Sequence, residues 1–254
     1  MNRVRGLLVP AIALLLAEAG FRLAGIESDT LAAPTRIAAG AVEVVADGSL
    51  LKGTFETLGA MLGGLGLGAL FGVACGMALG FSHLADRYSF LTIEMLRPIP
   101  SVALLPLSLL VFGFGFRMEI AVIAFATFWP MLLLTRTAVG QIEPRLIEVS
   151  QVMNMRLLAF ALKIVLPAAA PRMMTALRLA AGLALVVAIT AEIVVNPQGL
   201  GHDLMIAQET LRPQHMFAFM LWIGILGWGE NAALLGLERY LFSHRGDVDT
   251  SIAA

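Results

Sequence analysis

"EVSQVMNMRLLAFALKIVLP", Glu148 to Pro167, sets Glu148, Gln151, Asn154, Arg156 and Lys163 among leucines and methionines, with strongly apolar sequence on both sides. The spacing predicts two short helices between Glu143 and Pro171. Leu146, Ile147, Val149, Val152 and Met153 give the first an apolar side. Leu157, Leu158, Ala161, Ile164 and Val165 give one to the second, which is expected to stop before Pro167. Asn154 falls between them, and asparagine tolerates left-handed backbone better than most residues other than glycine, so a sharp turn is expected there. Patterning admits two uses for such an insert. It can lie on a membrane surface with its cations toward lipid phosphates, or it can be a docking surface for a protein partner.

The rest of the chain says what surrounds it. Of 254 residues, 59% are hydrophobic and only 14% charged, against about 25% charged in an ordinary soluble domain. The mean hydropathy is +0.86. Such a chain lacks the polar surface a soluble fold of this length needs, so an all-α integral membrane protein is expected. The net charge of −1 offers no basic field for nucleic acid. Cys75, the single cysteine, excludes an intrachain disulfide.

A membrane helix needs about 20 predominantly apolar residues. Six candidates meet that rule, near 6–24, 57–81, 99–116, 118–138, 173–195 and 215–242. Pro98, Pro100 and Pro106 break the third, which is expected to be kinked or partly unwound. Six spans put both termini on one side, and the Lys and Arg distribution selects the cytoplasm. With that orientation, inner segments and helix ends hold twelve of the 17 cations, including Arg3, Arg5, Arg97, Arg136, Arg156, Lys163 and Arg178. The outer ones hold Arg22, Arg36, Lys52, Arg117 and Arg212. Residues 1–33 then comprise the first span and the start of a periplasmic segment, and 34–56 a connector. The Pro start and Gly stop of "PTRIAAGAVEVVADGSL" suit a short surface helix or a plain loop there. Residues 57–243 form a core of five spans with a cytoplasmic loop at 139–172, and 244–254 a cytoplasmic tail. Ala17-Glu18-Ala19 imitates a signal-peptide cleavage site, and cleavage there would remove the first span alone.

Within the second span Gly64, Gly68, Gly72, Gly76 and Gly80 form one stripe along a helix. In lipid such a stripe admits another helix backbone closely, either within the subunit, the favoured reading, or from a second copy.

The insert is similar in its spacing to the EAA loop of ATP-binding-cassette importer permeases, E-A-A-x-x-x-G-x9-I-x-L-P. The matching residues are Glu148, Val149 and Ser150, then Asn154, then Ile164, Leu166 and Pro167. Val149 and Ser150 replace the alanines and Asn154 the glycine. Further segments resemble the nitrate, sulfonate and taurine branch of that family: "GSLLKGTFETLGAM" at 48–61, "LRPIPSVALLPLSLLVFGFG" at 96–115, "GLALVVAITAEIV" with the "GLG" of 199–201, and "ILGWGENAALLGLERYL". The resemblance spans roughly residues 34 to 243. It implies the type I importer permease fold in a bacterial inner membrane, two copies forming the pathway, and a periplasmic or lipid-anchored binding protein. It also implies cytoplasmic ATPase subunits that carry ATP and magnesium, with no cofactor on this chain. Residues 145–165 would couple to the ATPase through Glu148, Ser150, Gln151, Asn154, Arg156, Lys163, Leu166 and Pro167. The cargo implied is a small anion such as nitrate, taurine or an alkanesulfonate; a pyrimidine vitamin precursor or other small organic solute is the alternative.

The residues themselves add that this chain is not its own ATPase. No G-x-x-x-x-G-K-[ST] phosphate loop occurs, and Lys52-Gly53-Thr54 has the wrong frame. Ser101, Thr127, Trp129, Thr190 and Glu192 are the candidates for a polar path, although each also suits packing. For Glu192 a structural hydrogen bond is favoured, because a pore-facing carboxylate opposes an anion. Glu230 in the last span has the same two readings. His83, His202, His215 and His244 lack metal-ligand spacing, so no metal is expected. A six-span intramembrane enzyme is the reading of another class, and Ser101 has no G-x-S-x-G frame to support it. A secondary carrier is weaker still, without an inverted repeat of broken helices.

Overall fold

The most extensive helix contact among the described residues is made by the glycine stripe. The computed structural model describes residues 31–242 and, ahead of them, isolated positions between 9 and 23. The span expected at 6–24, those positions apart, and the tail at 244–254 lie outside the described residues. The described elements are all helices: α1 Pro34–Ala46, α2 Ser49–Phe81, α3 His83–Leu96, a 3-10 turn Ser101–Leu104 leading into α4 Leu105–Phe112, and α5 Phe116–Gly140. Then follow α6 Pro144–Val152, α7 Leu157–Phe160, α8 Leu166–Val194, α9 Leu200–Glu209 and α10 Pro213–Phe242. Four helices are long and apolar enough to cross a membrane: α2, α5, the continuous run Leu158–Val194, and α10. The pair His83–Leu96 and Ser101–Phe112, bent by 80°, is together apolar enough for a fifth, as a broken span or a re-entrant loop.

Helix α2 lies on α5 with its glycines inward. Gly64 meets Ile123, Gly68 meets Thr127, Gly72 meets Met131, Gly76 meets Thr135 and Gly80 meets Val139. Both series advance by four residues in the same direction, so the two helices run parallel with one register throughout. A methyl at Gly72 would stand 2.6 Å from Met131 Cβ and 2.8 Å from the Phe128 carbonyl oxygen, and one at Gly76 would stand 2.7 Å from the Leu132 carbonyl oxygen. Backbone thus lies against backbone, the arrangement that maximises dispersion where lipid supplies no hydrophobic drive. Helix α8 completes this layer through small residues; Ala176, Ala180, Ala184 and Ala188 are fully buried in the same core.

Three boundaries differ from the sequence expectation. The connector expected over 34–56 ends sooner: α1 stops at Asp47-Gly48, where Gly48 has φ 80°, and 49–56 already belongs to α2. Helix α1 packs on α10 and shares a small core with Leu50, Leu200 and Phe219. The segment expected at 99–116 is preceded by α3 from His83, which passes the apolar-length test together with it. Asp86, Arg87 and Glu94 mask α3 from a count of apolar length, yet Asp86 is neutralised by Arg136 of α5, 2.8 Å away. Finally, the second short helix does not stop before Pro167. Pro167 has no N–H for the Lys163 carbonyl, and the helix widens into a π turn over Ala161–Val165, where the Leu166 N–H bonds the Ala161 carbonyl. The axis then continues into α8.

The glycine contact makes a sharp prediction, because Gly66 on the same helix has nothing within 4 Å of an added Cβ. Gly72→Ala is expected to destabilise by about 1–3 kcal/mol through overpacking. Gly66→Ala is expected to be neutral or stabilising, since alanine favours a helix by about 1 kcal/mol. Thermal unfolding of both variants in one detergent checks the pair; equal midpoints would contradict the seating.

Candidate functional site

Three places concentrate polar chemistry in an otherwise apolar bundle. The first is the insert. Pro144 starts α6 at a position where its missing N–H costs nothing. The helix ends at Val152, and Asn154 takes φ 49°. The Met155 N–H then bonds back to the Ser150 carbonyl at 3.0 Å, and the buried Ser150 hydroxyl donates to Ile147 at 2.7 Å. Glu148, Gln151, Asn154, Arg156 and Lys163 all face outward; Leu166 and Pro167 are half-buried at the start of α8. Large apolar side chains face outward beside them, Val152 at 88% exposure and Met153 at 66%, with Leu158 and Leu162 beyond the turn. Hence the loop presents a mixed, uncovered face at one end of the bundle, next to the ends of α2 and α5.

The second place is a cavity of about 460 Å³ between the broken span, α5 and α8. Arg97, Ser101, Phe125, Trp129, Leu179 and Leu183 are among its walls. Pro98 and Pro100 withdraw two backbone donors from the helix, so α3 ends at Leu96 and the chain turns. Irregular backbone at membrane depth is tolerated where it is buried in protein or lines a cavity, and here it lines one. Pro130 of α5 likewise leaves the Ala126 carbonyl without its helical N–H partner at the cavity wall. Trp129 is fixed edge-on between Phe125 and Phe128, at ring separations of 5.6 Å and 5.0 Å.

The third place is the turn between α8 and α9. Three successive N–H groups there point at side chains: Gly199 to Glu56 Oε2 at 3.0 Å, Leu200 to Thr57 Oγ1 at 3.0 Å, and Gly201 to Glu192 Oε2 at 2.8 Å. Gly199 has φ 91°, and a Cβ on it would overlap the Glu192 carboxyl. One turn away the buried Asn196 accepts the Gly115 N–H at 2.9 Å, joining this turn to the start of α5. Asp203, in the first turn of α9, is partly buried; desolvation raises its carboxyl above the usual range, against the pull of His202.

Of the residues expected on a polar path, the structure brings Ser101 and Trp129 together at the cavity and leaves three elsewhere. Thr127 is fully buried under Gly68 and donates to the Ile123 carbonyl at 2.8 Å. Thr190 bonds its own helix at Val186, and Glu192 caps the turn between α8 and α9. Glu230 lines a separate apolar cavity between α2, α8 and α10. Sequence reasoning passed over Glu56, Thr57 and Asn196, which carry no motif and acquire a role only when α2, α5 and α8 converge. Arg97, one of the cations expected on the inner side, stands at the bend between α3 and the 3-10 turn. No grouping of metal ligands occurs among the described residues.

The described residues thus form a bundle of membrane-length helices with a cavity at the bent pair and an uncovered polar loop at one end. Residues 68–243 match the family described as "binding-protein-dependent transport system inner membrane component", and the chain belongs to that family. It is therefore a multi-pass inner-membrane transport subunit and not an enzyme. It is 27% identical over 246 residues to SsuC, an aliphatic sulfonates transport permease protein of Bacillus subtilis, covering 97% of this chain and 89% of that one. It is 29% identical to the taurine transport system permease protein TauC of Escherichia coli, over 70% of this chain and 65% of that one. Its fold matches an inward-facing MetNI methionine ABC transporter with a TM-score of 0.65 at 20% identity, covering 75% of this chain and 95% of that one. That places the chain among type I importer permease folds.

The turn between α8 and α9 yields a prediction independent of transport. Thr57→Val leaves the buried Leu200 N–H without an acceptor and is expected to destabilise by about 1–3 kcal/mol. Thr57→Ser keeps the hydroxyl and is expected to restore most of that loss. Unfolding midpoints in detergent separate the two; a Thr57→Val midpoint equal to the parent's would contradict a stabilising role for this hydrogen bond.

Proposed function

We propose that this chain is the membrane subunit of an ATP-driven importer of small anions, coupled through the loop 145–165 to a separate ATPase. The observation that carries the proposal is the uncovered face of that loop, where Val152, Met153 and Leu158 stand outward among Glu148, Gln151 and Arg156. Apolar area of this kind is stabilised by burial against a partner, and exposed charges around it set orientation and keep the free surface soluble. The spacing of Glu148, Asn154, Ile164 and Pro167 supports an ATPase as that partner. Asn154 positions the two arms by its left-handed backbone, which an alanine there would strain.

In this reading the first apolar segment completes six spans, and both termini lie on the cytoplasmic side with the loop. Two copies of the chain enclose the pathway, and a periplasmic or lipid-anchored binding protein delivers the cargo. ATP and magnesium reside on the ATPase subunits. A small anion is supported by the sulfonate and taurine permeases to which the chain is similar. Ser101 and Trp129 at the cavity are the residues of this chain placed to meet it.

The test is capture of the ATPase. Tagged chain, extracted gently from its own membranes, is expected to bring down an ATPase subunit at equal stoichiometry. Val152→Glu with Met153→Glu puts two charges into the contact. A loss of about 2 kcal/mol or more there, roughly thirtyfold in affinity, is expected from an interface centre. The double variant is expected to keep the parent's unfolding midpoint in detergent, both side chains being exposed. Undiminished capture would remove this loop from the contact.

A further inference from the structure

Three cations in the described spans have a partner on a neighbouring element. Arg136 of α5 pairs with Asp86, Arg178 of α8 with Glu238, and Arg172 of α8 donates to Gln141. Arg97 differs. Among the described residues no carboxylate comes within ion-pair reach of it, Glu94 one turn earlier included, and its guanidinium is exposed at the cavity.

Its depth follows from the register of α3 on α5. Asp86 meets Arg136 near one end, Ile93 packs with Trp129 and Leu132 further along, and Arg97 shares the cavity with Phe125. The two helices are antiparallel, and Arg97 stands beside the middle of the 25-residue α5. Leu179 and Leu183, mid-way along α8, close the opposite wall. An unpaired cation at that level costs about 2.5–3.5 kcal/mol on insertion scales. Around it the cavity offers hydrogen-bond donors. Ser101 is one residue beyond the proline break. Trp129 is 8% exposed, and its indole N–H has no acceptor among the described residues.

We propose that Arg97, Ser101 and Trp129 form an anion-binding station of the translocation pathway, for a carboxylate, sulfonate or oxyanion that reaches mid-membrane at the break of the third span. This rests on the importer reading for its direction of transport, but the binding itself does not. A planar guanidinium holds an oxyanion through paired N–H groups, whereas lysine gives one point charge. The apolar walls strengthen that attraction by excluding water and leave the anion no second strong site, so release is not hindered.

The test uses the full chain in neutral detergent with Trp129 as its one indole, through Trp222→Phe and Trp228→Phe, since the chain has three tryptophans. Sodium nitrate, sodium bicarbonate, sodium methanesulfonate and taurine are titrated separately against its emission at constant ionic strength. At least one is expected to give a saturable change. Arg97→Gln is expected to weaken that response by about tenfold or more, as loss of a charge-assisted bond implies, and Arg97→Lys to retain part of it. Linear quenching shared with Arg97→Gln for all four probes would overturn the station. So would saturation by phosphatidylglycerol alone, which would make Arg97 a lipid-headgroup contact. Uptake by the complete complex is the separate arm. A saturable, Arg97-dependent titration without ATP-driven uptake supports the station and counts against the importer reading; uptake that Arg97→Gln leaves at the parental rate overturns the station.

Discussion

Parallel helices α2 and α5 touch through backbone, and that contact fixes the position of nearly everything else. With glycine at 64, 68, 72, 76 and 80, the axes approach until a Cβ would collide with Ile123, Thr127, Met131, Thr135 or Val139. Close approach in lipid gains dispersion that bulkier side chains would forfeit. It also imposes a register, because each glycine receives one particular side chain of α5. Thr127 illustrates the consequence. Its hydroxyl is turned into its own helix at Ile123 and lies 3.5 Å from the Gly64 carbonyl, so a residue that reads as pore-lining becomes part of a seam. Once that seam exists, the opposite side of α5, with Phe125, Trp129 and Pro130, is left to face the broken span.

At one end of the seam, the turn after α8 locks the bundle by hydrogen bonds. Glu56 and Thr57 come from α2, Glu192 from α8, and the three N–H groups they receive open α9. A helix start buried in a bundle leaves donors that water cannot reach, so side chains from neighbouring helices must satisfy them. This gives Glu192 a structural reason to be buried in a span and removes any need for it to meet a transported anion. The glycines of "GLG" follow from the same geometry: one for a φ of 91°, the other for contact with the Ile189 carbonyl. The bundle is thus tied at this end, while the opposite end carries the uncovered loop.

How far the sequence reveals this depends on whether a feature is local. The spans near α5 and α10 are legible from apolar length, and the four-residue glycine period is legible as a close-packed face, though not which helix fills it. Asn154 is legible as a turn because its side chain acts on its own backbone. The broken span is only half legible. Its prolines announce the break, but α3 is hidden by Asp86, Arg87 and Glu94, whose acceptability depends in part on Arg136, fifty positions away along the chain. Pro167 misleads for a related reason. A proline read alone ends a helix, whereas here the π turn before it absorbs the missing donor and the helix continues. Glu56, Thr57 and Asn196 are illegible, since nothing in their neighbours records that three helices will meet around them.

The bend between α3 and α4 and the loop of α6 and α7 are two irregular features of the described bundle, and α8 reaches both. Its first turns emerge from the π widening next to the loop, and Leu179 and Leu183 further along form a wall of the cavity. One helix thus connects the loop to the cavity wall, and its other end is tied by Glu192 to the turn before α9. Coupling between distant sites needs an element with two arrangements, and a π turn is a place where a helix can change register by one residue without losing its hydrogen bonds. Lys163 and Val165 lie within that turn, between the uncovered loop and α8. The residues that distinguish this protein from an inert bundle are thus those where helical regularity fails: Pro98 and Pro100 at the cavity, and Ala161–Val165 on the path that leads to it.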